Sequence, residues 1–332
     1  MSTNQSNFSL LRAQLKKDLF FKDSQSGYTY TYAWMANQTG HFALGFMIAI
    51  LGFWIFFPSQ SVFMGTSLWV PIGSMAAWTL YEIFNYANAL IHTRKNTFKP
   101  NALYIAFDTS VDLCFFYYGI IVAYVGHYFA NWGILLFFGI FILYLPFSYY
   151  WLLRKLYYQK GNYPYMKSLS EIQKNIKSSD AEKIVDFTKL EGPWKHILVF
   201  GGINTGKTDL AVAIAIEKAI KKGKTSYTTF FKWVQMLQYI DNSALEYWPW
   251  RESKIMVIDD VNPSIIDSTN ITPDDVIRLV NNSAFVTENK TALSNMHTIW
   301  VLGEDNDKQK WVDMLQSLEM INSTEQVGII RC

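Results

Sequence analysis

Three shortages bound what this 332-residue chain can be. It has two cysteines, Cys114 and Cys332, far apart in the sequence. That excludes a disulfide framework and offers no metal-binding spacing. It has almost no net charge, with 29 Lys/Arg against 27 Asp/Glu, which argues against the basic face of a nucleic-acid binder. Charged residues make up only 17% of it, against about 25% in a typical soluble protein. The deficit is local. Seven Lys/Arg and five Asp/Glu fall in residues 1–152, leaving 22 of each in the remainder. The first half is therefore charge-poor, while the second has an ordinary soluble composition. A length of this order suggests about two domains.

Where charge is missing, apolar runs stand in its place. Residues 1–39 are polar and mixed, and read as a cytoplasmic N-terminal segment. No secretory signal is visible there, because the first apolar run begins too late and lacks a small-residue cleavage site. Runs at 40–58, 68–91, 103–125 and 131–152 are each long enough to cross a hydrocarbon core of about 30 Å. Aromatic residues cluster near their ends, among them Trp69, Tyr104, Trp132, Tyr149, Tyr150 and Trp151, as in interfacial belts. Lys and Arg flank the runs on alternate sides: Arg12, Lys16, Lys17 and Lys22, then Arg94, Lys95 and Lys99, then Arg154, Lys155 and Lys160. The positive-inside rule then places both termini in the cytoplasm. The expectation is an integral protein of the bacterial inner (plasma) membrane in contact with membrane lipids.

Four ionisable residues interrupt the runs: His41, Glu82, Asp108 and Asp112. The topology puts all four near one membrane depth, and the two aspartates, at i and i+4, share a helix face. Such residues are costly in a membrane and face a partner. Two readings stand side by side, interhelical hydrogen bonding and a site for a cation or a lipid headgroup.

The second half is organised around residues 196–208, HILVFGGINTGKT. A five-residue strand, His196 to Phe200, reads as buried and leads into Gly201, Gly202, Ile203, Asn204, Thr205, Gly206, Lys207 and Thr208, and a helix follows from Asp209 to Gly223. This is the G-x-x-x-x-G-K-[ST] phosphate-binding pattern in its strand–loop–helix context. The glycines permit backbone conformations that a Cβ hinders. Loop amides then point inward at a helix N-terminus, where they hold anionic oxygens. Lys207 is expected to reach the β- and γ-phosphates of ATP, and the Thr208 hydroxyl to sit on Mg²⁺. Asp209 completes the nucleotide-binding stretch. A second motif, KIMVIDDVNP at 254–263, reads as a strand delivering acids to the same place. Asp259 is the expected magnesium-side carboxylate and Asp260 the expected residue orienting water.

The rest of this half alternates. Strands are expected at TSYTTF and HTIWVLGED and at the C-terminal QVGIIRC, and helices at FKWVQMLQYI, TPDDVIRLVNN and DKQKWVDMLQSLEM. Thr272 followed by Pro and two acids is a helix-start signature. The expected fold class is an α-helical membrane domain with four transmembrane helices (40–152) and a polar, helix-forming linker (153–195). An α/β P-loop NTPase domain (196–332) follows, with a parallel five-stranded doubly wound sheet and no helical lid.

From Gly201 to Asp260 the chain resembles the IstB/DnaC-like ATPases of the ASCE and AAA+ class, on GGINTGKT, AIAIEKAIKKG, FKWVQML and IMVIDD. The resemblance implies ATP binding and hydrolysis, most often in a homo-oligomer. It also implies a polar sensor at the tip of the fourth strand, where Gly303, Glu304 and Asp305 stand, so Glu304 joins Lys207 and Asp260 as a catalytic candidate. An arginine from a neighbouring copy often completes such sites, and Arg251, Arg278 and Arg331 are the candidates. The His41, Glu82 and DxxxD placement resembles small VanZ-like membrane domains. Other P-loop classes fit less well. Asn289 and Lys290 are followed by Thr291 and Ala292, without the Asp of a GTPase base-reading motif, and no ABC-type signature is present. Three functions remain in view. One is a membrane-anchored ATPase whose nucleotide state drives or gates its membrane domain through residues 153–195, alongside a protein partner that the sequence does not name. Another is a membrane effector or sensor, in defence or signalling, that uses nucleotide as a switch. The third, disfavoured by neutral charge, is a membrane-tethered ATPase that handles nucleic acid.

Overall fold

A computed structural model of the chain describes residues 6–20, 29–57, 68–92, 102–128, 130–172, 176–239, 247–261, 271–304 and 307–332. The loop 58–67, the basic residues Lys22, Arg94, Lys95 and Lys99, and Asp305 lie outside the described residues. The chain divides into two compact units, one formed by Leu15–Leu152 and the other by Met1–Gln14 with Leu153–Cys332.

The first unit is helical. Its elements are the end of α1 (Asn7–Phe20), α2 (Tyr30–Phe56), α3 (Trp69–His92), α4 (Ala102–Tyr128) and the first part of α5 (Ala130–Lys160). Two of these, α2 and α4, are long and apolar enough to cross a membrane. They approach each other closely because Gly45 and Gly119 lie where they meet. A Cβ at Gly45 would collide with the carbonyl of Phe116, and one at Gly119 with the carbonyl of Phe42. Small residues that let helix backbones approach are the packing device of helices in lipid. The buried centre is Ala49, Phe53, Phe116, Ile120 and Ala123. The outside is apolar as well: Met47, Trp54, Phe56, Trp69, Phe84 and Ile142 are all more than half exposed.

The second unit is built on a parallel sheet. Strands β1 (His196–Phe200), β2 (Thr225–Thr229), β3 (Ile255–Asp259), β4 (His297–Val301) and β5 (Val327–Arg331) lie in the order β2-β3-β4-β1-β5. Every pairing is parallel. β1 and β3 are buried at all five positions, and four of the five residues in each are apolar, as suits strands covered on both faces. The helices are α6 (Leu169–Ile172), α7 (Ser178–Lys189), α8 (Lys207–Ile220), α9 (Phe230–Met236), α10 (Pro273–Asn281), α11 (Val286–Asn295) and α12 (Lys308–Ser317). Trp233, Trp250, Trp300 and Trp311 anchor one core cluster, with Trp233 edge-on to Trp300 at a centroid distance of 5.5 Å. Residues 153–195, expected as a linker, contribute Leu156, Ile184 and Phe187 to the interior, each fully buried.

Two histidines give this unit a pH dependence. His196 opens β1 with no exposure; its Nδ1 lies 2.7 Å from Thr298 Oγ1 and its Nε2 3.1 Å from the Met320 carbonyl. Burial pushes His196 down to about 3 and His297 down to about 4. Both folded values lie below the unfolded value of about 6.5, so the unfolded chain binds more protons in between. Their contribution is therefore complete above about pH 6.5 and is lost as the pH falls toward 4 and 3, at up to about 1.4 kcal/mol per pH unit for His196. Urea unfolding of the full chain, followed by tryptophan fluorescence, is expected to give a lower midpoint at about pH 5 than at about pH 7.5. His196→Gln is expected to shrink that difference; an unchanged difference would remove His196 as a cause.

Candidate functional site

Parallel strands bring their C-terminal ends to one edge of a sheet, where open α/β folds carry their sites. Here that edge gathers the loop 201–206 after β1, Asp259 and Asp260 at the end of β3, and Glu304 just beyond β4. β4 lies between β1 and β3, so loop and acids face each other across one strand.

The loop is shaped by two left-handed residues. Gly206, at φ 85° and ψ 16°, stands immediately before α8, and Asn204 has φ 61°. Glycine takes this conformation without penalty, and asparagine is among the few other residues that tolerate it. The helix begins at Lys207, two residues before the start that its sequence suggests, because Gly206 turns the chain directly into it. Thr205 Oγ1 donates to the Gly202 carbonyl at 3.0 Å. The ammonium of Lys207 donates to the Gly201 carbonyl at 2.7 Å and also to that of Gly202. Ile203 and Asn204 are exposed at the tip. Partial burial lowers the Lys207 pKa, while the nearby charges of Cys332, Asp259, Asp260 and Glu304 act to raise it.

Asp259 is the hub of the acid side. It is 1% exposed and accepts three hydrogen bonds: from Thr208 Oγ1 at 3.2 Å, from the Asp260 amide at 2.8 Å and from the Tyr227 hydroxyl at 2.7 Å. These three donors satisfy the oxygens of a carboxylate that is shielded from water. Burial, followed by the hydrogen bond to Asp259, pushes Tyr227 above its ordinary pKa, which keeps it a neutral donor. Asp260 has φ 53° and an exposed side chain. Desolvation, with the neighbouring Asp259 charge, raises its pKa, and Lys207 opposes that shift. Asp209 accepts from the Tyr165 hydroxyl. Glu304 is exposed, and its Oε1 lies 3.2 Å from where a Gly202 Cβ would stand.

Lys207, Thr208, Asp209, Asp259, Asp260 and Glu304 therefore gather at the loop 201–206. Thr208 and Asp259 offer one hydroxyl and one carboxylate. Among the described residues no group of three or more His, Cys, Asp or Glu could hold a metal by itself. Such a site fits Mg²⁺, which keeps waters and takes one or two carboxylates together with substrate phosphates. Tyr227 and Tyr165 were not foreseen. They sit in or beside segments that read as strand and linker, and no sequence motif marks a tyrosine for an acid brought near by folding.

The three arginines part ways. Arg251 lies over Trp250 at 4.6 Å and donates to Asn289 Oδ1, to the Tyr239 carbonyl and to that of Met236. Its guanidinium is committed inside its own unit. Asn289, fully buried, is thus an anchor of the arginine and of the Leu237 carbonyl. Arg278 is exposed and paired with Asp275, and Arg331 is exposed on the edge strand β5.

In the helical unit, His41 and Asp112 come together, Nε2 to Oδ2 at 3.7 Å, and Gln38 Nε2 donates to Asp112 Oδ1 at 2.7 Å. Glu82 is 8% exposed, hydrogen-bonds Asn85 and lies within electrostatic reach of Asp112 and His41. Asp108, one turn before Asp112, is exposed instead. The period of α2 puts Gln38 beside His41, a signal present in the sequence but masked by the neutrality of glutamine. Compared with known proteins, the chain matches no family model and no curated sequence.

Proposed function

We propose that this chain is a membrane-anchored ATPase, with a P-loop core of the ASCE type that binds Mg·ATP and drives or gates a four-helix membrane domain. The observation that carries the nucleotide half is the meeting of Thr208 with Asp259 beside Lys207 at the start of α8. One hydroxyl, one buried carboxylate and one ammonium stand at a helix N-terminus, the set that a Mg·triphosphate requires. The interposed strand β4 supports the ASCE assignment. In this reading the loop amides and Lys207 bind and orient the phosphates, Asp259 holds the magnesium side, Asp260 orients water and Glu304 senses the terminal phosphate.

The membrane half rests on the apolar exterior of the helical unit. Trp54, Phe56, Phe84 and Ile142 face outward at 73%, 69%, 67% and 62% exposure. A soluble helical bundle does not leave such a surface open to water. Four spans, with both termini in the cytoplasm and assembly as a homo-oligomer, complete the proposal. Asp260 favours a second reading, a nucleotide switch with little turnover, because its exposed, short side chain stands where a longer carboxylate commonly serves. The test is calorimetry and phosphate release with the full chain purified in detergent. Saturable Mg·ATP binding with turnover supports the ATPase, binding without turnover supports the switch, and no binding rejects both. Reporter fusions at the C-terminus and within 58–67 are expected to report opposite compartments.

A further inference from the structure

We propose that the cluster of Gln38, His41, Glu82 and Asp112 in the helical unit binds a primary ammonium of the ethanolamine type. The observation behind it is a surplus of acceptors. Asp112 takes one hydrogen bond from Gln38 Nε2 and faces His41 Nε2. With the histidine proton on Nε2, toward the carboxylate, Nδ1 is a bare acceptor. Among the described residues, neither His41 Nδ1 nor Gln38 Oε1 has a hydrogen-bond partner, and both atoms are buried. Gln38 as a whole is 2% exposed and Glu82 8%. Two carboxylates, an amide oxygen and an imidazole nitrogen therefore belong to one cluster, and two of these acceptor atoms are buried without a hydrogen-bond partner among the described residues. Unsatisfied polar atoms and uncompensated charge are costly away from water, and a primary ammonium supplies three donors and one positive charge.

The surroundings suit such a group. The Trp78 ring meets His41 edge-on at 6.3 Å and stacks on Phe116 at 4.5 Å, and aromatic walls favour cations. Trp34 stands one helical turn before Gln38. The indole N–H groups of Trp34 and Trp78 also have no partner among the described residues. The ammonium can come from a lipid headgroup or from a soluble amine. Only the lipid source rests on the membrane reading of this unit.

The test uses the full chain, stripped of lipid in a nonionic detergent and titrated calorimetrically with dihexanoyl phosphatidylethanolamine, dihexanoyl phosphatidylcholine and free ethanolamine. The ethanolamine lipid is expected to bind saturably and at least about tenfold tighter than the choline lipid, whose quaternary nitrogen has no N–H donor. Asp112→Asn and Gln38→Leu are each expected to weaken that binding at least about tenfold, with Mg·ATP affinity unchanged. Free ethanolamine binding as tightly as the lipid would support a soluble amine as the natural source. Equal affinity for the two lipids, no saturable binding of any probe, or unaltered binding by a folded Asp112→Asn variant would each overturn the site. The lipid preference of the parent chain decides the matter even if a variant fails to fold. Recovery of the chain without detergent would reject the membrane reading alone.

Discussion

Lys207→Ala is expected to weaken Mg·ATP binding by at least about 100-fold. The loop has one side chain that can carry positive charge to the phosphates. Its ammonium already lies against the Gly201 and Gly202 carbonyls, at the mouth of α8. Hydrogen bonds to charged groups are worth about 1.5–3 kcal/mol each, so losing contacts to two phosphate oxygens removes about 3 kcal/mol or more, which is a factor of 100 or above. The helix and its αL start at Gly206 do not depend on the lysine, so thermal stability should shift little. Calorimetry on the parent and variant chains measures both quantities. Equal affinities would remove residues 201–208 as the nucleotide site, whatever their resemblance.

The next largest effect is expected at the paired acids, and the two should fail differently. In Asp259→Asn the volume stays but the charge goes, and an amide nitrogen replaces one acceptor among three donors, Thr208 Oγ1, the Asp260 amide and the Tyr227 hydroxyl. Magnesium dependence and turnover should both collapse, by about 100-fold or more, while metal-free nucleotide binding survives. Asp260→Asn should bind Mg·ATP as the parent does yet lose about 100-fold or more in turnover, the scale of a positioned general base. Because desolvation and the Asp259 charge raise its pKa, the acid limb of the parent pH–rate profile should lie above the ordinary aspartate value of 3.8. Activity should be present above that limb and lost as the pH falls through it. Parent-like hydrolysis by Asp260→Asn would move the water-positioning role to another group, with Glu304 the next candidate.

The elements whose cause is local were legible from the residues alone. β1 was expected at 196–200 and is found there because four apolar residues in a row after His196 suit a strand covered on both faces. α10 begins at the Thr-Pro-Asp-Asp sequence with a full capping box, Thr272 and Asp275 exchanging hydrogen bonds. All five strands fall in the expected stretches. The loop 201–208 and the acid pair were likewise marked by spacing, since glycine positions and a strand-ending carboxylate leave a short-range trace. What depends on distant contacts left no such trace. The insertion of β4 between β1 and β3 is decided by how strands and covering helices pack together. Residues 153–195 looked solvated by composition, yet Ile184 and Phe187 are buried, because a few apolar positions suffice once the sheet provides a surface. Arg251 looked available as an arginine and is clamped by Asn289, a residue 38 positions away. Tyr227 lies 32 positions from Asp259, and Gln38 lies 74 from Asp112. A side chain's partner across such separations follows from chain topology, so only the tertiary structure could name these residues, whereas backbone conformation and preference for water are properties each short stretch carries with it.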